Sequence, residues 1–249
     1  MALPGTAAIE RAGLEAWPGI EVEWDGSWVR RAANGFSKRA NSVQALDPDD
    51  DAGAEARIAA AQAWLRARGL DPVFRTTPLT GRRVLAALDA LGWQTVDASH
   101  LFAMPLRDFE ADPRGALYAP LDPRFLEAQE SLQGYDAETR RKLAALLGAL
   151  RVPARGIVLY ESGDVPVASA LMSIADGIVV TGNVVTDPAR RRQGHASAMM
   201  RTGLAWARAE GARVAALNVA ADNPAGQALY RSLGYARQYD YAYRIPGEA

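Results

Sequence analysis

The sequence predicts an α+β fold in which mixed, largely antiparallel sheets are flanked by helices. Three observations lead there. The first third holds short apolar runs broken by Asp25-Gly26 and Asn34-Gly35, dipeptides that suit two-residue hairpin turns because both residues tolerate positive φ. The second half holds three apolar runs in succession and then alternates helix, strand, helix, strand, which reads as a meander feeding a layered sheet. The same glycine spacing also occurs twice: Gly69 and Gly92 lie 23 residues apart, and so do Gly211 and Gly234.

In chain order, strands are expected over 20–24, 28–33 and 36–46, followed by an acidic loop at Asp47–Asp51. A helix over 54–68 stops at Gly69, a strand covers 72–77, a helix over 81–91 stops at Gly92, and a strand covers 93–106. Residues 107–123, with three prolines, read as a linker. Beyond it come helices over 123–132 and 137–150 and strands over 156–161, 166–174 and 177–185, with turns at Ser162-Gly163-Asp164 and Asp176-Gly177. A helix over 194–210 ends at Gly211, a strand covers 213–219, a helix over 224–233 ends at Gly234, and a last strand covers 235–245.

The repeated glycines point to a tandem duplication, with residues 1–110 as one half and 111–249 as the other. Ala90-Leu91-Gly92-Trp93 aligns with Ser232-Leu233-Gly234-Tyr235 at an offset of 142. The competing explanation is that glycines recur at helix ends by chance.

Composition narrows the function. Nearly half the 249 residues are apolar, enough for a sizeable core, and the net charge of −1 offers no bulk attraction to nucleic acid or an anionic membrane. There is no cysteine, which removes disulfides and thiol chemistry, and His100 and His195 are too few for an ordinary histidine metal site, so no metal is expected. The N-terminus has no apolar segment of the signal-peptide kind and no stretch approaches a membrane span, so a cytoplasmic protein is expected.

The densest chemistry lies at Arg191-Arg192-Gln193-Gly194-His195-Ala196, between an apolar strand and a helix whose apolar face repeats at helical spacing (Ala196, Met199, Met200, Gly203, Leu204, Ala207). A glycine turn there aims several backbone N–H groups at one point, beside the positive end of a helix, and so makes a cradle for a pyrophosphate. Further on, Asn223 is a good N-cap and Pro224 a good first helical residue, while Asn223, Gly226, Gln227 and Tyr230 share one helix face. Each signal alone also fits an ordinary capped helix.

Together, Pro188-x-x-Arg191-x-x-Gly194-x-Ala196 and Asn223-x-x-x-x-Ala228-Leu229-Tyr230-x-x-x-Gly234-Tyr235 resemble the GNAT superfamily of acyl-CoA-dependent N-acyltransferases, from about residue 156 onward. The resemblance implies two GNAT-like halves with the second complete, acetyl-CoA as cosubstrate, and direct acetyl transfer to a primary amine in a ternary complex. It implies that Arg191, Arg192, Gln193, Gly194, His195 and Ala196 bind the pyrophosphate. Val184, Val185 and Thr186 would pair with the pantetheine, Asn223 would contact it, and Tyr230 would protonate the departing thiolate. The alternative is a sensor that binds acyl-CoA without turning it over.

An amine needs a route for its proton near neutral pH, and Glu161 and Asp187 are the nearby carboxylates; neither they nor His195 is assigned as base. At the 142-residue offset, Asp49, Ala52, Gly81 and Leu88 stand where Arg191, Gly194, Asn223 and Tyr230 do, so the first half should not bind CoA and should wall the acceptor pocket instead. The segment from Trp28 to Ser42 is rich in cations and aromatics; it suits an anionic acceptor, RNA, or merely exposed hairpin charge. The acceptor is expected to be a small-molecule or peptide amine, without nucleic acid or membrane partners, and the protein a monomer or homodimer.

Overall fold

The structure, a computed structural model, describes residues 2–161 and 164–247. The expected turn at Ser162-Gly163 lies outside the described residues. The helices are α1 (Thr6–Ala16), α2 (Ala54–Arg66), α3 (Arg82–Ala90), α4 (Pro123–Gln133), α5 (Ala137–Gly148), α6 (His195–Ala209) and α7 (Pro224–Ser232). The first strands are β1 (Glu21–Asp25), β2 (Trp28–Ala32), β3 (Val43–Ala45), β4 (Phe74–Thr76), β5 (Gln94–Pro105) and β6 (Gly115–Tyr118). The later ones are β7 (Ala154–Glu161), β8 (Val165–Ala175), β9 (Ile178–Thr186), β10 (Val214–Ala220) and β11 (Ala236–Ile245).

Separate sheets were expected; the strands instead form one sheet of eleven, in the order β1-β2-β3-β4-β11-β5-β10-β9-β8-β7-β6. The cause is a central antiparallel pair. β5 and β11 are long, and they pair from Ala103↔Ala236 to Gln94↔Ile245. Counting inward from β1, the pairings run antiparallel, antiparallel, parallel, antiparallel. Counting inward from β7 gives the same series. β5 thus closes the set that contains β7–β10, and β11 closes the set that contains β1–β4.

Side chains alternate across this sheet, as strand geometry requires. Phe102 and Met104 of β5 and Leu217 and Val219 of β10 enter a core with Met199, Met200 and Leu204 of α6 and Tyr230 of α7. Leu101, Ala103, Val214 and Ala216 point to the other face and pack on Ile9, Ala12 and Ala16 of α1. On that face too, α4 and α5 set Phe125, Leu143 and Leu146 against Val158 and Leu171. Each such fully buried Leu or Phe is worth about 1.5–3 kcal/mol relative to exposure.

Helix ends follow the punctuation in the sequence. Asp122, Asp136 and Asn223 cap α4, α5 and α7, accepting from the amides of Arg124, Thr139 and Gly226. Gly69, Gly92, Gly211 and Gly234 all have positive φ (68°, 72°, 90° and 102°). The residue after each donates its amide to a carbonyl five positions back, as at Trp93 to Leu88 and Tyr235 to Tyr230, which closes the last helical turn.

Four expectations are corrected. The N-terminal segment was given no helix, yet α1 forms there from Gly5, a residue without a capping side chain. The proline-rich linker holds β6, which pairs with β7 at one edge of the sheet. The strand expected over 36–46 shrinks to Val43–Ala45 because the Asn41 side chain intervenes. Its amide accepts from the Ala33 and Gly35 N–H groups and donates to the Phe36 and Ser37 carbonyls, folding 33–42 into a loop with a 3-10 turn at Lys38–Ala40. Asn34 and Gly35 do take positive φ, but inside that loop and not as a two-residue hairpin.

Candidate active site

β9 and β10 run parallel from Ile178↔Val214 to Thr181↔Leu217 and then part, although β9 continues to Thr186 and β10 to Ala220. What turns β9 away is a bulge. Ser169 faces Val185 and Leu171 faces Gly182, so β9 carries one residue more than β8 between these pairs, and Asn183 sits there at φ 52°. Asn183 is held from α4: its Nδ2 donates to Gln129 Oε1 (2.9 Å) and Gln129 Nε2 donates to its carbonyl (3.1 Å). Tyr135 donates its hydroxyl to Asn183 Oδ1 (3.2 Å).

Two cavities open at this parting. One, of about 700 Å³, is lined by Val184, Val185, Thr186, Arg191, Arg192, Gly194, His195, Ala196, Asn223 and Tyr230. Every residue expected to hold the coenzyme or to protonate the thiolate is therefore on its wall except Gln193, which is exposed in the same turn. Gly194 caps α6 in the left-handed region at φ 84°, and a Cβ there would meet no atom within 4 Å, so backbone conformation and not crowding requires glycine. The first-turn amides of α6, at His195, Ala196 and Ser197, meet no acceptor among the described residues, as at any helix start, and these residues line the cavity. Arg191 and Arg192 are exposed and have no carboxylate partner among the described residues, whereas Arg190 is paired with Glu161 and Asp187. Helix polarity and cations thus act together on one wall, which suits a phosphate-bearing ligand.

The second cavity, of about 470 Å³, shares Val184, Asn223 and Tyr230 with the first and is walled on its far side by Lys38, Arg39, Asp97, Tyr241 and Tyr243. Tyr230 stands at the junction, 6 % exposed, with its ring 6.1 Å from that of Tyr235 in an edge contact. Burial pushes its phenol up to about 12, so it is protonated at neutral pH and available as a donor. Asn223 accepts from the Gly226 amide, so its role as a cap is met.

The carboxylates near the site are engaged. Glu161 is tied to Arg190, and Asp187 accepts from the Ala189 amide (2.9 Å). His195 is buried, and neither ring nitrogen has a hydrogen-bond partner among the described residues, Nε2 lying 4.0 Å from Glu161 Oε1. Sequence reasoning missed Gln129 and Tyr135 and the bulge they hold at Asn183, and no local pattern signals such a long-range contact. It also gave no site role to Asp97, Tyr241 or Tyr243. The cation-rich segment around Lys38 and Arg39 was noticed, and it forms the far wall of the second cavity.

The acidic loop of the first half is filled by its own contacts. Asp50 accepts from the Ser27 amide (2.7 Å) and from Arg57 (2.8 Å), which holds its carboxyl well below the usual range. The glycine preceding α2 in the left-handed region is Gly53, one residue beyond the Ala52 that a fixed offset selects. Leu88, where the offset places the counterpart of Tyr230, is core.

This fold and site define a GNAT-superfamily N-acetyltransferase. The family model described as "Probable histone acetyltransferase Rv0428c C-terminal" matches residues 6–244, and the chain belongs to that family. The uncharacterized N-acetyltransferase YobR of Bacillus subtilis (strain 168) is 24 % identical over 245 residues, covering 95 % of this chain and 97 % of its own. Among solved structures, a GCN5-related N-acetyltransferase from Kribbella flavida superposes with a TM-score of 0.73 at 21 % identity, covering 99 % of this chain and 98 % of its own. A tandem GNAT protein from the clavulanic acid biosynthesis pathway superposes with a TM-score of 0.65 at 13 % identity, covering 100 % of this chain and 90 % of its own. No helix among the described residues is long and apolar enough to cross a membrane, and no cluster of metal-ligating side chains occurs among them.

Proposed function

We propose that the protein transfers the acetyl group of acetyl-CoA to a primary amine by direct attack in a ternary complex. The observation that carries this reading is the position of Tyr230, a protonated phenol shared by two cavities of which one bears the helix-start amides and the exposed Arg191 and Arg192. The diphosphate is held by the amides of Gly194, His195 and Ala196 with Arg191, Arg192 and Gln193 around them. The pantetheine lies along Val184, Val185 and Thr186 past Asn223, and the thioester reaches the parting of β9 and β10.

The neutral amine enters from the second cavity. Its nitrogen attacks the thioester carbon, a C–N bond forms and the C–S bond breaks. The thiolate takes the phenolic proton of Tyr230, and the proton released by the new amide restores the phenol. The strand edge supplies amide dipoles that hold the carbonyl for attack. The matching pairing series on either side of β11 and β5 supports a duplicated chain, with 1–110 as a half that has lost its donor loop and 111–249 as the half that keeps it.

Titration calorimetry with acetyl-CoA, with and without Gly194→Glu, tests the donor site. Binding by the unaltered protein and loss in the variant are expected; absence of binding by the unaltered protein overturns the reading.

A further inference from the structure

From the second cavity we infer that the acceptor amine also carries a carboxylate, which Arg39 receives. This rests on the proposed transferase reading and extends it from an amine to an anionic amine, amino acids and their close relatives being the simplest members.

The argument is one of charge balance. Arg31, Arg39 and Arg75 gather beneath the cavity around one carboxylate, Glu10. Glu10 is fully engaged: it accepts from Arg75, from Gln44 (2.7 Å) and from the Tyr239 hydroxyl (2.6 Å). Arg31 is buried away from the cavity, without a carboxylate among the described residues; its Nη1 and Nη2 donate to the backbone carbonyls of Trp17 (3.0 Å) and Arg39, and its Nε has no partner among them. Arg39 is left over. Its guanidinium stacks on Trp17 (4.6 Å to the ring centre) and meets no carboxylate and no hydrogen-bond acceptor among the described residues. It lies against the bulged strand, with Nη2 3.1 Å from where a Cβ on Gly182 would stand, and so faces the cavity in which the amine must sit. The other charges on the cavity wall cancel, since Lys38 pairs with Asp97.

A half-buried guanidinium stacked on an aromatic ring is preorganised and poorly hydrated, the setting in which a carboxylate binds by two parallel hydrogen bonds. Burial and the nearby Arg75 charge lower the Arg39 pKa, and an arriving carboxylate offsets that cost by stabilising the cation directly. The same cations would repel a lysine-rich peptide.

The test pairs amino acids with the amines left by their decarboxylation, and adds a lysine-rich histone-tail peptide. Two readouts are taken: thiol release from acetyl-CoA, and the rise in Tm on adding each compound, which needs no turnover. Acetyl-CoA affinity is measured separately by calorimetry. Carboxylate-bearing compounds should bind about ten- to a hundredfold better than their partners. Arg39→Gln should remove that preference with acetyl-CoA affinity unchanged, and Arg39→Lys should keep part of it. Equal or better binding of the decarboxylated amines or of the peptide, or no Tm shift with any carboxylate, overturns the inference even if Arg39→Gln fails to fold. If acetyl-CoA does not bind but carboxylates still stabilise the protein through Arg39, the transferase reading falls and the anion site stands.

Discussion

Gln129 and Asn183 hydrogen-bond reciprocally, each donating a side-chain N–H to the other residue, across 2.9 and 3.1 Å. Through this pair α4 fixes a left-handed residue in β9 at the point where β9 leaves β10. Gln129 is fully buried and also donates to Ser169 Oγ (3.0 Å), so the α4 side of the contact is fixed in one geometry while Asn183 is half-buried.

Gln129→Leu removes the partner of three polar groups, Asn183 Nδ2, the Asn183 carbonyl and Ser169 Oγ, at a cost of about 1–3 kcal/mol for each left unsatisfied away from water. The bulge should relax, and acetyl-CoA affinity should fall although Gln129 does not line the donor cavity. Calorimetry together with denaturant unfolding checks this; unchanged donor affinity would show that the bulge needs no external support.

Tyr230→Phe removes the phenol without changing the ring. Turnover should fall about a hundredfold, the scale of a general acid, while acetyl-CoA affinity stays nearly constant. Because the phenol is pushed up to about 12, the rate should show no loss from its ionisation between about pH 7 and 10. Steady-state kinetics on a verified acceptor decides it; an unaltered kcat assigns the proton to another donor.

Glu10→Gln leaves Arg75 buried and unpaired, and breaking such a pair costs about 3–5 kcal/mol. Burial alone would raise the Glu10 pKa. The Arg75 charge and the hydrogen bonds from Arg75, Tyr239 and Gln44 outweigh burial and hold it below 4.5. A depressed folded-state pKa adds stability that is fully present above the unfolded-state value near 4.5 and is lost as pH falls through the folded-state value. Thermal unfolding from pH 7 down to about 3 should show this loss in the unaltered protein and a flatter profile in the variant.

Gly156→Ala brings a Cβ to 2.3 Å from the Phe125 ring, which is buried in the core beneath α4. Neither side has room to give, so a loss of about 1–3 kcal/mol is expected from overpacking. Urea unfolding that gave an unchanged midpoint would mean α4 shifts freely on β7.

Much of this was legible in the sequence, and the reasons are local. The four helix-ending glycines, the Asn223 cap and the Gly194 turn each depend on one residue and its near neighbours. What escaped was non-local. Asn41 bends the segment around it through four hydrogen bonds that no alternation of apolar residues encodes. α1 starts at Gly5 without a side-chain cap and buries mainly alanines beside Ile9, so nothing in the sequence punctuates its start. The far wall of the second cavity joins Arg39, Asp97 and Tyr241, which are distant in sequence and meet only because β11 and β5 lie at the middle of the sheet.

That central placement carries a mechanical consequence. Each terminal portion lends the other its innermost strand, so a fragment holding only residues 111–249 would lack β5 and leave β10 and β11 with bare edges facing one another. Such a piece is an aggregation hazard rather than a small working enzyme, and the intact chain should melt cooperatively, in one step.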